Sequence, residues 1–235
     1  MLPSVEFAYA TAAGVLRPLL RHGMRWTVEG AQLVPAHGPA IFASNHISYL
    51  DPFVIAKVTD LRHRRVRFLA KAELFGLPVV GPALRNAGQI PVDRNSLRSG
   101  DSTGAAGAAL ARGECVAVFP EGTISPDLEP MSGKSGTARI ARATGAPVFP
   151  LGLWGTQRIM AKGRRPDWRW GVAQSAVVGP PLRFGPDANV RETTDEIMSA
   201  VAAAVARARE IYPQSDPGSW WDRAPETATL QSCRA

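Results

Sequence analysis

The sequence predicts an α/β domain: a mixed, largely parallel sheet flanked by helices. Three observations carry this reading. Short runs rich in β-branched and aromatic residues recur along the chain, and several are apolar at every position, as strands covered on both faces are. Segments with helical character lie between them, the alternation from which parallel sheets are built. At 235 residues with 45% hydrophobic content, folding buries roughly 70% of the unfolded chain's surface, enough for one sizeable core. A chain that is mainly disordered is excluded.

The elements follow in order. Residues 1–25 form an amphipathic helical segment: at 100° per residue Val5, Ala8, Ala12, Val15, Leu16 and Leu19 share one arc, and Arg17, Arg21 and Arg25 the opposite one. The arginines interrupt it well short of the ~20 apolar residues of a spanning helix, and Pro18 kinks it, so it suits a surface. Packing of the same arc against its own domain is the alternative. A single catalytic domain is expected over residues 26–212. Strands are predicted at Met24–Val28, Pro39–Ser44, Val66–Ala70, Gln89–Val92, Cys115–Phe119, Pro147–Trp154 and Ser175–Val178. Helices are predicted at Ser48–Thr59, Asp101–Arg112 and Lys134–Thr144, the last stopped by Gly145 and Pro147. A final helix, Arg191–Ile211, puts Ile197, Val201, Val205 and Ala208 on one stripe, with Thr193 and Glu196 as its capping box. Residues 213–235 read as a polar, poorly ordered tail that only Trp220 and Trp221 can anchor.

The net charge of +7 comes from 27 Lys+Arg against 20 Asp+Glu. It is concentrated: Leu61–Lys71 carries five basic residues and no acid, and Gln157–Trp170 five basic residues and one acid, together more than the whole excess. Such patches suit nucleic acid, an anionic membrane or a phosphorylated substrate. Trp168 and Trp170 beside the second cluster favour the headgroup level of a bilayer, so both clusters are expected on a membrane-docking face, and no nucleic acid partner is expected. A non-catalytic basic module remains the different-class alternative. Two cysteines, Cys115 and Cys233, cannot make a disulfide framework, and no cleavable leader is visible, which fits a cytoplasmic setting.

Three segments could carry chemistry. The first is Asn45–Asp51 (NHISYLD), directly after an apolar strand. Residues five apart on one helix lie about 140° apart, so His46 and Asp51 meet only if the histidine precedes the helix, at a strand-to-helix turn where ligand sites gather. A bland reading also exists, in which Ser48 caps a helix with Asp51 at its third position and His46 is a loop histidine. The second is Gly88–Arg94 (GQIPVDR), a strand ending in a charged pair. The third is Phe119–Thr123 (FPEGT), where a turn at the end of a buried strand exposes a carboxylate and backbone N–H groups. A P-loop is absent, since the glycine required before Gly133-Lys134-Ser135 is Leu128. So are a nucleophile elbow and any paired metal-ligand spacing, and no metal is expected.

In this order, NHxSxxD, KAELFGLP running to GxIPVDR, FPEGT and VFPL resemble the four blocks of the glycerophospholipid acyltransferases, most closely the bacterial 1-acylglycerol-3-phosphate acyltransferases. The resemblance spans about Trp26 to Pro181. It implies His46 as general base and Asp51 as the residue that orients it, with no cofactor beyond acyl-CoA or acyl-carrier protein as donor substrate. It also implies a lysophospholipid acceptor converted to phosphatidic acid, and a peripheral location on the cytoplasmic face of the cell membrane. The third block usually continues with an arginine taken to hold the acceptor's phosphate, where this chain has Ile124. Phosphate recognition is therefore expected from Arg94, Lys71 and Lys134, with Glu121, Gly122 and Thr123 forming the rest of the substrate-binding turn. A different acceptor, such as glycerol-3-phosphate, another lysophospholipid or a lyso-aminolipid, is the runner-up. Backbone N–H groups at Asn45–Ser48 or Gly122–Thr123 are the two candidate donors to an oxyanion.

Overall fold

The computed structural model describes residues 23–78, 80–92 and 101–222. One seven-stranded sheet organises them: β1 (Met24–Glu29), β2 (Ala40–Ser44), β3 (Val66–Lys71), β4 (Ile90–Val92), β5 (Cys115–Val118), β6 (Val148–Trp154) and β7 (Val172–Val178). The strand order is β1-β7-β6-β2-β5-β3-β4. Every neighbouring pair is parallel except β6–β7. All seven predicted strands are present, shifted at most three residues at an end.

The helices are α1 (Asp51–Asp60), α2 (Val80–Asn86), α3 (Asp101–Ala111), α4 (Gly136–Thr144), α5 (Gln157–Met160) and α6 (Val190–Glu210). The period of two divides the central strands between two cores. Ala40, Phe42, Cys115 and Ala117 face α1, against Val54, Ile55 and Val58. Ile41, Ala43, Val116 and Val118 face the opposite way, against α3, α4 and α6. This explains why β5, β6 and all of β2 but Ser44 are apolar: both faces are covered. α6 lies so close to β6 that a Cβ on Gly152 would stand 2.1 Å from the carbonyl carbon of Ala204.

Several expectations need correction. α6 begins at Val190 and is capped by Asn189, whose Oδ1 accepts from the N–H groups of Arg191 (2.8 Å) and Glu192 (3.3 Å). The Thr193–Glu196 capping box does not form, because Thr193 is already inside the helix and buried. α2 was hidden by Pro78, Gly81 and Pro82, which read as breakers; Pro82 falls in the first turn, where its missing N–H costs no hydrogen bond. Arg25 lies in β1, outside any helix, and its Nε donates to the carbonyl of Gly171. Met24 opens the same strand, and residues 1–22 of the predicted N-terminal helix lie outside the described residues. So do residues 223–235, but residues 213–222 pack on the domain, with Trp221 buried and Trp220 half-buried.

The two basic clusters sit at different places. Arg64 donates to the carbonyls of Pro35 (2.7 Å), Gly38 (2.6 Å) and Gly113 (2.8 Å), tying the segments that enter β2 and β5. Arg67 binds Glu114 and the carbonyl of Gly88. The Leu61–Arg65 turn therefore belongs to the edge where the central strands begin, since α1 runs back from the edge where they end. Both arginines are structural ties, and of this cluster only Lys71, at the far end of β3, lies on the edge from which the second cluster emerges. Among the described residues no helix is long and apolar enough to cross a membrane.

Candidate active site

Strands β2, β3, β5 and β6 are mutually parallel, so the residues following them come out along one sheet edge. Ala43 pairs with Val118, and Ser44 with Leu151, which sets the first block beside the third and beside the continuation of β6. The strand-to-helix turn after β2 is built by its own side chains. Asn45 extends the ladder through its side chain: Nδ2 donates to the carbonyl of Leu153 (3.1 Å) and Oδ1 accepts from the N–H of Leu153 (2.8 Å). The chain is then free to bend and present His46.

His46 Nδ1 lies 2.8 Å from Asp51 Oδ2. The same oxygen accepts from the backbone N–H groups of Ile47 (2.7 Å) and Ser48 (2.8 Å), and Oδ1 accepts from the Thr156 hydroxyl (2.6 Å). Backbone N–H groups only donate, so Oδ2 is an acceptor and the ring must present Nδ1–H to it, leaving the Nε2 lone pair for another proton. Among the described residues none hydrogen-bonds Nε2. The ring is held flat on Phe119, centroids 4.0 Å apart and planes 16° apart. The bland reading holds for its cap and fails for its histidine. Ser48 accepts the Leu50 N–H through its hydroxyl and gives its own N–H to Asp51, as in a capping box, although α1 itself starts at Asp51. The same Asp51 oxygen also binds His46, which is no idle loop residue.

The third block closes over the first. Glu121, only 3% exposed, accepts the His46 N–H through Oε1 (3.1 Å), while its Oε2 is buried with no hydrogen-bond partner among the described residues. Burial, helped by the nearby Asp51 and Asp127 carboxylates, pushes its carboxyl up to about 7, against the pull of the His46 and Met131 N–H groups. The Ser125 N–H donates to the carbonyl of His46 (2.7 Å), completing the clamp. Gly122 takes a left-handed φ of 69°, and a Cβ there would stand 2.8 Å from Lys134 Nζ, so the lysine arches over the turn. Lys162 Nζ reaches Thr123 Oγ1 at 3.4 Å. Ile124 is buried and offers no cation.

Of the predicted site residues, His46, Asp51, Glu121, Gly122, Thr123 and Lys134 are brought together. Lys71 ends β3 on the same edge, in register with Val92, and is exposed; its side chain makes no hydrogen bond or ion pair among the described residues. Arg94 lies outside the described residues. Sequence reasoning missed Phe119 as the ring support, Thr156 and Lys162. The last two come from the loop after β6, more than 100 residues beyond the first block. Of the two candidate oxyanion donors the first is taken: the N–H groups of His46, Ile47 and Ser48 all serve Glu121 or Asp51. Gly122 N–H is bound to the carbonyl of Phe119 (3.0 Å), which leaves the Thr123 N–H, unpaired among the described residues.

An imidazole aligned by a buried carboxylate, with its outer nitrogen open at the end of a parallel sheet, is an arrangement able to take a proton from a bound group. Comparison with known proteins gives the family. The chain belongs to the acyltransferase family, whose model matches residues 25–154. It is 34% identical over 138 residues to the chloroplastic 1-acyl-sn-glycerol-3-phosphate acyltransferase of Arabidopsis thaliana, over 58% of this chain and 38% of that one. To the 1-acyl-sn-glycerol-3-phosphate acyltransferase of Neisseria gonorrhoeae it is 27% identical over 191 residues, 80% of this chain and 70% of that one. The chain thus spans about two-fifths of the plant relatives it matches. The crystal structure of the 1-acyl-sn-glycerophosphate acyltransferase of Thermotoga maritima superposes with a TM-score of 0.68 at 25% identity, covering 91% of this chain and 86% of that one.

Proposed function

We propose that this protein transfers a fatty acyl group from a thioester to the free hydroxyl of 1-acylglycerol-3-phosphate, giving phosphatidic acid. The observation that carries the reading is the His46–Asp51 pair, which leaves one ring nitrogen open, with the turn at Glu121 bound to the His46 backbone. His46 Nε2 takes the proton of the acceptor hydroxyl as its oxygen attacks the thioester carbonyl. Asp51 steadies the imidazolium, and the proton passes to the departing thiolate as the ester forms. The Thr123 N–H is the donor aimed at the oxyanion. Lys134 and Lys162, flanking that turn from two separate segments, hold the phosphate in place of the arginine that Ile124 replaces. Acyl-CoA and acyl-carrier protein both suit as donor, and no cofactor is needed. Purified protein incubated with labelled acyl-CoA and a panel of lysolipids tests this. Phosphatidic acid should form, and His46→Ala should lower turnover by about 10²- to 10⁴-fold with the fold intact. Near wild-type transfer by that variant would overturn the assignment. A second reading, a different lysolipid acceptor, is favoured by Ile124, and the same panel decides it.

We further propose that the protein works as a peripheral enzyme on the cytoplasmic face of the membrane. Trp168 and Trp170 are 50% and 73% exposed beside Arg165, in the loop that follows α5. The Gly171 N–H donates to the carbonyl of Gly23 (2.7 Å), so this loop adjoins the point where residues 1–22 join the domain. Tyr49 and Phe53 are exposed at the start of α1, on the same side of the sheet edge. Trp168→Ala with Trp170→Ala should weaken co-sedimentation with anionic vesicles, as should Leu16→Asp. Unchanged sedimentation would refute the docking face.

A further inference from the structure

The acyl-transfer reading uses Asp51 only through Oδ2, yet the carboxylate has a second oxygen, and how that oxygen is held decides where the first one points. Three donors converge on Oδ2, namely His46 Nδ1 and the N–H groups of Ile47 and Ser48. Oδ1 receives one, the Thr156 hydroxyl at 2.6 Å, and both residues are at most 1% exposed. Thr156 stands at the N-cap of α5, where a threonine ordinarily turns its hydroxyl onto its own helix. It makes no such bond. Its single hydroxyl proton goes to Asp51, 105 residues earlier in the chain.

We infer that Thr156 is a positioning residue: its hydroxyl locks the rotation of the Asp51 carboxylate so that Oδ2 stays in line with His46 Nδ1. Without it Oδ1 is buried and unpaired, and the carboxylate turns to share its remaining donors, taking the imidazole with it. The loop is held from outside by residues 212–221. Arg158, two residues on, donates to Tyr212 Oη (3.0 Å) and to Gln214 Oε1, and its guanidinium lies 4.1 Å from the Trp221 ring centroid. Gln214 Oε1 also accepts the Ala173 N–H (2.9 Å), anchoring this strap to β7. The strap therefore fixes the loop that fixes the carboxylate.

This rests on the acyl-transfer reading for its kinetic test but not for its spectroscopic one. In protein labelled with ¹⁵N-histidine, the His46 Nδ1 proton, assigned by its loss in His46→Ala, should be protected from exchange in wild type and Thr156→Ser. It should be lost to exchange in Thr156→Val. Kinetically, Thr156→Val should lower kcat about tenfold to a hundredfold with acceptor and donor KM within about twofold, and Thr156→Ser should recover most of it. If Thr156→Val does not fold, Thr156→Ala takes its place in both measurements. Arg158→Ala should lower kcat less, and should cost nothing further when combined with Thr156→Val. A protected Nδ1 proton in Thr156→Val, an unchanged kcat, a serine variant no better than valine, or losses that multiply would each overturn the inference. Wild-type protein that transfers no acyl group would refute the activity alone, since the Nδ1 signal still reports on Thr156.

Discussion

Glu121→Gln removes one ionisable carboxyl and little volume, and its effect on stability can be worked out. The amide oxygen can still accept the His46 N–H, as Oε1 does at 3.1 Å. In the folded protein burial raises the Glu121 carboxyl from 4.5 to about 7, so between those values the folded state holds a proton that the unfolded chain has released. Stability falls with rising pH wherever the folded state binds more protons. The loss therefore begins near the unfolded value, grows through the window and is complete just above the folded one. At about 1.4 kcal/mol per pH unit of displacement it comes to about 3 kcal/mol, most of it between about pH 5 and pH 8. The glutamine variant carries no such penalty. Urea unfolding of both proteins across that range should show the wild type losing about 2 to 3 kcal/mol relative to the variant, all other titrations being common to the pair. A constant difference between the two would mean that Glu121 ionises as an exposed glutamate does, and the argument from burial would fail.

Two further outcomes follow from the packing and the charges. Gly152→Ala should destabilise by about 3 kcal/mol, because the added methyl meets the backbone of α6 and neither element can yield; a loss below about 0.5 kcal/mol in urea unfolding would show that it can. Lys134→Ala and Lys162→Ala should each raise KM for a phosphate-bearing acceptor severalfold with little change for the acyl donor. Equal activity on dephosphorylated monoacylglycerol would refute the two-lysine clamp.

Most strands were legible because cover on both faces favours apolar residues, so β5 and β6 announce themselves as apolar runs and β2 as one up to Ser44. β7, equally buried, carries Gln174 and Ser175 and was legible only over its last residues. His46 and Asp51 were legible for a geometric reason: their spacing fits neither one helix face nor one strand face, only the turn between them. The rest of the site depends on contacts between distant segments. Thr156 and Lys162 follow β6, and they meet the first and third blocks only because β6 lies beside β2, a pairing no local pattern encodes. Phe119 looks like the last residue of a buried strand, and its role as a platform for the imidazole appears only when β2 and β5 are set side by side. Arg64 and Arg67 show the opposite error. Charge density alone assigns them to a docking face, whereas their hydrogen bonds to backbone carbonyls make them ties within the domain.

The side chain of Asn45, which replaces a backbone rung opposite Leu153, has a consequence for how this enzyme ages. An asparagine is lost chemically when the N–H nitrogen of the next residue attacks its side-chain carbon and the amide nitrogen leaves as ammonia. Here the attacking nitrogen belongs to His46, whose N–H is held by Glu121, and the leaving amide is held by the Leu153 carbonyl. The aspartate that such a loss would create could not donate to Leu153 and would set a carboxylate against a carbonyl. The contacts that aim the turn after β2 thus also restrain both ends of the reaction that would dismantle it.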